Sequence, residues 1–303
     1  MNSKSNKISV LGGNGFIGTN LISSLVSQNY QVTVLVRKRE KAKHLWLLPR
    51  TDIVEYENSV PSISKLISES KTIINLVGVL QSRTGSPWGK EFENAHVKLT
   101  SNIVESAEQT DCKNIVHISA LGACKNAPSM YLRSKAEGER IIQCSNLSTT
   151  VLRPSVVFGP GDKFLSMFAK MHQFLPFIPL ASYSSLFQPI YIGDLIRIIE
   201  FCIENPSKNH IAYDCVGPEV FSLGELVNLA GDLSKRKKPV IPLPNSIARV
   251  QAYLMEKLPG PTILSRDNLD SASVPNIAQN PNEVFPLSNP TDIKSIADEY
   301  MTR

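Results

Sequence analysis

Residues 12–18 read Gly12-Gly13-Asn14-Gly15-Phe16-Ile17-Gly18, directly after the apolar run Ile8–Leu11 and directly before an amphipathic stretch, Phe16–Gln28. The glycines that matter fall on a GxxGxxG spacing. Gly12 permits a tight turn, Gly15 lets backbone N–H groups approach a pyrophosphate, and Gly18 lets the helix pack closely on the strand. The start of the helix adds favourable partial positive charge. A glycine-rich string alone means little; one that leaves a first strand and opens a helix predicts a dinucleotide turn. Gly12, Asn14, Gly15, Phe16, Ile17 and Gly18 are its expected lining.

Outward from this turn, short apolar runs recur at Val32–Val36, Ile73–Val77, Ile115–Ile118 and Thr150–Leu152, with a weaker one at Ile53–Tyr56. Such β-branched runs suit buried parallel strands. Helical patterns lie between them at Ser62–Ser70, Phe92–Gln109 and Ser129–Gln143. The alternation predicts an α/β fold, a doubly wound and mostly parallel Rossmann sheet. After Arg153 the pattern changes, with Pro154, Pro160, Pro176, Pro179 and Pro189 in quick succession. Helices are expected at Asp194–Glu204 with Asp194 as N-cap, at Ser222–Ser234 with a Ser222/Glu225 capping box, at Ser246–Lys257 and at Thr291–Tyr300. Residues 272–290 read as an irregular connection. The expected division is a dinucleotide-binding domain over 1–160, completed by 188–217. A smaller, mainly helical substrate-type region would comprise 161–187 and 218–303.

Composition narrows the function classes. Of 303 residues, 42% are hydrophobic and 19% charged, too apolar for a disordered chain. No run approaches the roughly 18 uninterrupted apolar residues of a membrane span. The net charge is +5, and residues 1–150 carry eighteen Lys or Arg against twelve Asp or Glu. That excess suits an anionic ligand and is too small to argue for nucleic acid. The five cysteines form no CxxC pair and have no His at ligand spacing, so neither a disulfide framework nor a metal site is expected. No presequence pattern precedes Ile8, which reads as a cytoplasmic chain.

The second strand ends Val36-Arg37-Lys38-Arg39. A carboxylate at this strand end binds the ribose 2′-hydroxyl of NAD, whereas a guanidinium suits the added phosphate of NADP. Arg37 is the candidate, with Arg39 in reserve, and NADP(H) is favoured over NAD(H). Later strands end in Asn75-Leu76-Val77-Gly78 and His117-Ile118-Ser119-Ala120, and Tyr131-Leu-Arg-Ser-Lys135 follows on a helix. The i, i+4 spacing puts the Tyr131 hydroxyl and the Lys135 ammonium on one face. A nearby cation lowers a phenol pKa, and Ser119 is placed to orient a carbonyl.

In this order these residues resemble the extended short-chain dehydrogenase/reductases. The likeness continues through Leu152-Arg-Pro-Ser-Val-Val-Phe-Gly-Pro-Gly-Asp162 and Gln188-Pro-Ile-Tyr-Ile-Gly-Asp194. The strings Tyr131-Leu-Arg-Ser-Lys-Ala-Glu-Gly-Glu139, Phe168–Phe174, Ile178-Pro-Leu180 and Ser265-Arg-Asp-Asn268 are similar to the nucleotide-binding accessory subunit of respiratory complex I, the alpha-subcomplex subunit nine family, and its bacterial relatives. The resemblance implies Asn75, Val77, Gly78, Tyr131, Lys135 and Pro154 beside the dinucleotide. It further implies NADPH held structurally, docking to complex I subunits as an accessory or assembly component, and a peripheral place on the inner face of the respiratory membrane. Tyr131, Lys135 and Ser119 are all retained, so a catalytically active NADPH-dependent reductase or epimerase is the alternative. A redox-sensing role is a third class without a feature of its own. One departure stands out: where relatives carry Gly-Asp after the third strand, with the Asp on adenine, this chain has Tyr56-Glu57-Asn58, and either Glu57 or Asn58 substitutes.

Other segments have plainer readings. Met171–Gly193 contains no Asp, Glu, Lys or Arg, and is either an apolar surface meeting a partner, a quinone headgroup or the membrane interface, or a buried crossover lining a pocket. Lys235-Arg236-Lys237-Lys238 taken alone resembles a nucleic-acid or lipid patch, but after a helix and just before Pro239 it reads as a solvated turn. His96 and His172 read as structural histidines, and Asn94 as a residue on the nicotinamide side. Trp46 and Trp88 point to no role.

Overall fold

The computed structural model describes residues 6–112, 114–258 and 264–296. The chain begins with β1 (Lys7–Leu11), α1 (Phe16–Ser27), β2 (Gln31–Val36), β3 (Thr51–Glu55), α2 (Val60–Ile67) and β4 (Thr72–Asn75). A long helix follows in three pieces, α3 (Lys90–Phe92), a π turn over Glu93–Lys98 and α4 (Leu99–Glu108), then β5 (Asn114–Ile118), α5 (Met130–Gln143) and β6 (Ser148–Pro154). The remainder comprises β7 (Val157–Phe158), α6 (Phe164–Phe174), β8 (Ile178–Leu180), β9 (Leu186–Phe187), β10 (Ile190–Tyr191), α7 (Ile192–Glu204), β11 (Ile211–Cys215), β12 (Phe221–Ser222), α8 (Leu223–Leu233), β13 (Val240–Pro242), α9 (Asn245–Lys257) and α10 (Arg266–Ala272).

Two compact units emerge. The first takes the residues up to Ser119 together with Ser134–Arg153 and Ile196–Tyr213. Its sheet has the order β11-β6-β5-β4-β1-β2-β3, and the pairs β1–β2, β1–β4, β2–β3, β4–β5 and β5–β6 are all parallel. This is the doubly wound order, reversing between β1 and β4. Strands β4 and β5 are buried along their whole length, as expected when both faces of a parallel sheet are covered. On one face Ile63 and Ile67 of α2 and Leu99, Ile103 and Ala107 of α4 pack against Leu11, Leu35, Ile73 and Ile115. On α1, Leu21, Ile22 and Leu25 are fully buried, and Ser24 and Gln28 donate to Glu200 of α7.

The second unit takes Ala120–Arg133, Pro154–Leu195 and the residues from Asp214 on. Helices α6 and α8 bury Phe168, Leu223, Val227 and Ala230 against Ile178 and Leu180 of β8, which pairs in parallel with β13. The capping box at the start of α8 forms as read from the sequence: Ser222 Oγ accepts from Glu225 N–H, and Glu225 accepts from Ser222 N–H.

Two expectations need correction. Asp194 does not cap α7, which starts two residues earlier; its carboxylate instead accepts the Thr291 N–H at 2.6 Å and O–H at 2.9 Å. A long-range partner has taken the capping side chain. The helix expected at Ser62–Ser70 runs from Val60 to Ile67, because Pro61 suits a first turn, where its missing N–H is not needed. Helices α6, between Pro160 and Pro176, and α10 are additional to the helices read from the sequence. Of the helix expected at Thr291–Tyr300, residues 291–296 fall among the described ones, and 293–296 of these are helical. Among the described residues no helix is long and apolar enough to cross a membrane.

Candidate functional site

Gly12 leaves β1 with φ +79, a left-handed conformation that costs other L-residues about 1–2 kcal/mol. A Cβ on it would lie 2.9 Å from the Leu76 carbonyl carbon and 3.0 Å from Val77 N. The turn is therefore pressed onto the end of β4 at the point where strand order reverses, where doubly wound sheets bind ligands. Gly15 N–H closes the turn on Gly12 O at 3.1 Å. A Cβ at Gly18 would stand 2.5 Å from Gly13 Cα, so the first turn of α1 rests directly on the loop. Gly15 is exposed, and Asn14, Phe16 and Ile17 are partly exposed around it. No acidic residue stands in the first turn of α1. Backbone donors without competing carboxylates, in a cradle that side-chain carbons would fill, fit a pyrophosphate.

Arg37 is exposed immediately after β2. Its charge acts on Tyr56, whose hydroxyl is pushed up by burial and drawn down by Arg37. Beyond β3, Asn58 is tied on both sides: its Nδ2 donates to Asn94 O at 3.4 Å, and its two oxygens accept from Asn102 Nδ2 at 2.9 and 3.0 Å. Asn94 itself is exposed and presents its carbonyl to Asn58.

The ends of β4 and β5 meet α5 in a buried polar cluster whose tautomers follow from the donors. Val77 N–H donates to Asn75 Oδ1 at 3.1 Å, so Asn75 Nδ2 donates to His117 Nδ1 at 3.0 Å. The His117 proton then sits on Nε2, which is buried without a partner among the described residues. Val79 N–H donates to His96 Nε2 at 3.1 Å, leaving His96 Nδ1–H to donate to Ser134 Oγ at 2.8 Å. Burial, then Lys135 and His117, hold the His96 pKa down to about 2. Burial and Lys135 hold His117 down to about 3. Both rings are neutral near neutral pH, which leaves Lys135 as the cation of the cluster. Its Nζ donates to Ile118 O at 2.9 Å, and burial lowers its pKa to about 8 against the opposing pull of Glu139. A Cβ at Gly78 would be 3.6 Å from that ammonium nitrogen, which places Gly78 beside it. Ser119 Oγ is buried without a hydrogen-bond partner among the described residues.

Tyr131 lies one helical turn before Lys135 on α5. The backbone N–H groups of Met130 and Tyr131 donate to the Asp267 carboxylate at 2.6 and 3.1 Å, and the ring packs with Ala120, Ala127, Leu132 and Val274. Burial pushes the phenol up to about 12. The sequence reading had Lys135 lowering it; desolvation dominates instead. Pro154 is buried at the end of β6, its carbonyl accepting Leu121 N–H at 3.1 Å.

The structure thus brings Asn75, Val77, Gly78 and Lys135 to one cluster and gives Asn75 internal partners for its side chain. His96 belongs to that cluster, and His117 was not anticipated at all, because nothing within β5 marks it. Asp267 was visible only as part of the Ser265–Asn268 string. His172, by contrast, is a satisfied core residue: its Nε2–H donates to Val227 O and its Nδ1 accepts Lys238 N–H.

A glycine cradle at the switch point of a doubly wound parallel sheet, with a Tyr and a Lys one turn apart on α5, fits a dinucleotide-binding Rossmann protein of the short-chain dehydrogenase/reductase type. Within that class the chain belongs to the NAD dependent epimerase/dehydratase family, which matches residues 8–224. It is 29% identical over 268 residues to the NADH dehydrogenase (ubiquinone) 1 alpha subcomplex subunit 9, mitochondrial, of Dictyostelium discoideum, covering 86% of this chain and 74% of that protein. The protein of the same name from Arabidopsis thaliana is 29% identical over 280 residues, with 86% and 68% covered. Among solved structures, a nucleoside-diphosphate-sugar epimerase from Staphylococcus aureus superposes with a TM-score of 0.76 over 97% of this chain and 100% of that one. At 17% identity this shows a shared fold.

Proposed function

We propose that this protein is an NADP(H)-binding, atypical short-chain dehydrogenase/reductase associated with respiratory complex I as an accessory or assembly component, peripheral on the inner face of the membrane, with the dinucleotide held structurally. The observation that carries this reading is the similarity, across 86% of the chain, to relatives named as subunits of that complex. Gly12, Asn14, Gly15, Phe16, Ile17 and Gly18 would hold the pyrophosphate. Val77, Gly78 and Pro154 would line the nicotinamide side, and Lys135 would donate to its ribose. Arg37 would meet the 2′-phosphate, favouring NADP(H) over NAD(H). With the Asn58 amide engaged by Asn94 and Asn102, Glu57 is the better adenine contact.

A second reading, an NADPH-dependent reductase or epimerase, is favoured by the Tyr131–Lys135 pair and by Ser119. Bound NADPH would supply a hydride. Tyr131, with a pKa near 12, holds its proton at neutral pH and would pass it to the substrate oxygen. Ser119 Oγ, buried and without a partner among the described residues, would polarise the substrate.

One experiment separates the two. The first reading expects purified protein to carry NADPH through gel filtration and to co-purify with complex I subunits, and Tyr131→Phe to change neither. Failure of co-purification overturns the association. Rapid NADPH oxidation with a small carbonyl or sugar-nucleotide substrate, abolished by Tyr131→Phe, establishes the second reading instead.

A further inference from the structure

Helix α9 is built inside out. Its buried residues are the small Ala248 and Ala252, both 0% exposed, while Ile247, Val250 and Leu254 are 53%, 60% and 59% exposed. Their spacing of i, i+3 and i+7 lines them along one face, and Leu258 at the C-cap, 65% exposed, continues it. An ordinary surface helix turns its large apolar residues inward; this one turns them to water.

The chain that leads into α9 carries the same character. Residues Lys235, Arg236, Lys237 and Lys238 are all exposed, and among the described residues only Lys237 has a carboxylate partner, Asp232 at 2.9 Å. They run into β13, whose Ile241 is 45% exposed. In the parallel ribbon Ile241 stands opposite Pro179 of β8. Side-chain alternation puts Phe177, 48% exposed, on the same outward side as Pro179. Between Lys235 and Leu258 the sequence holds six Lys or Arg against one Glu, a charge of +5 in 24 residues that equals the net charge of the whole chain.

We propose that the face formed by 235–258, with the outward side of the β8–β13 ribbon, docks onto an anionic bilayer surface. An apolar stripe beside a polybasic run is the combination that inserts side chains at the headgroup boundary while attracting anionic lipid. A second copy of this chain would bring the same positive charge to the contact and be repelled. The inference rests only on the peripheral location proposed above and does not require complex I.

The test uses the full-length protein with vesicles of phosphatidylcholine alone and of phosphatidylcholine with a minority of phosphatidylglycerol. Co-flotation is expected with the phosphatidylglycerol vesicles at low ionic strength, and should weaken in high salt. Leu254→Glu, and separately Lys235→Glu with Lys238→Glu, should each weaken binding about tenfold or more. Because these side chains are exposed, the thermal midpoint should stay at the wild-type value. Absence of flotation, or flotation indifferent to Leu254→Glu, overturns the proposal. So does lipid-free dimerisation that Leu254→Glu abolishes, which assigns the face to a second copy. Vesicle binding that persists when complex I subunits fail to co-purify removes the association and leaves this inference standing.

Discussion

Gly12→Ala should unfold the protein more readily and also lose the nucleotide, and the two effects can be separated. The left-handed φ of +79 costs alanine about 1–2 kcal/mol. Its methyl would lie 2.9 to 3.1 Å from three backbone atoms of Leu76 and Val77. Those atoms are held by the Leu76 N–H bond to Leu11 O at 2.9 Å, so relief means loosening the β1–β4 junction at a further cost of about 1 kcal/mol. The sum, about 2–3 kcal/mol, is a large share of the roughly 5–15 kcal/mol available to a folded domain. At about 2–4 °C per kcal/mol, the nucleotide-free midpoint should fall by roughly 5–10 °C. Gly15→Ala is the control. Its φ is −85, and a Cβ there meets only Gly12 O at 3.3 Å. Without nucleotide its midpoint should stay near wild type. In NADPH at a hundredfold the wild-type Kd, wild type gains about 2.7 kcal/mol, whereas Gly15→Ala should lose most of that gain. Differential scanning calorimetry with and without NADPH reads both. An unshifted Gly12→Ala midpoint would refute the steric argument, and full nucleotide stabilisation of Gly15→Ala would refute the assigned cradle.

Other outcomes can be measured on the same material. Arg37→Asp should move the ratio of NADP to NAD affinity toward NAD by titration calorimetry; an unchanged ratio removes Arg37 from the 2′-phosphate. Acid should destabilise the fold through the buried histidines, since His96 and His117 have folded pKa values of about 2 and 3, below the ordinary value near 6.5. Below about pH 6.5 the unfolded chain takes up protons that the native state refuses, so stability falls with acid, by roughly 1 kcal/mol per pH unit for each ring between about pH 7 and 5. Urea unfolding of wild type between pH 7 and 5 should show that slope, and His117→Asn should remove about half of it. An equal slope in the variant means another group carries the acid sensitivity.

The glycine turn, the strand alternation and the α8 capping box were readable because each is a local matter. A left-handed glycine, an apolar run or a Ser three residues before a Glu acts within a few residues of itself. The doubly wound order follows from such pieces, because parallel strands joined by helices close in few ways. The Tyr131–Lys135 pair was equally plain, since one helical turn carries both. The polar cluster around Lys135 was not. His96 comes from the crossover helix and His117 from strand β5, and their neutrality is set by burial beside a cation that neither segment contains. Asp267 reaches the start of α5 from 136 positions along the chain, and Asp194 leaves its expected cap for Thr291 because a distant segment offers two donors. Helix α9 is the sharpest case. Its pattern reads as amphipathic, yet which side faces inward depends on what packs there, and only contacts remote in sequence make Ala248 and Ala252 the buried pair and leave Ile247, Val250 and Leu254 in water.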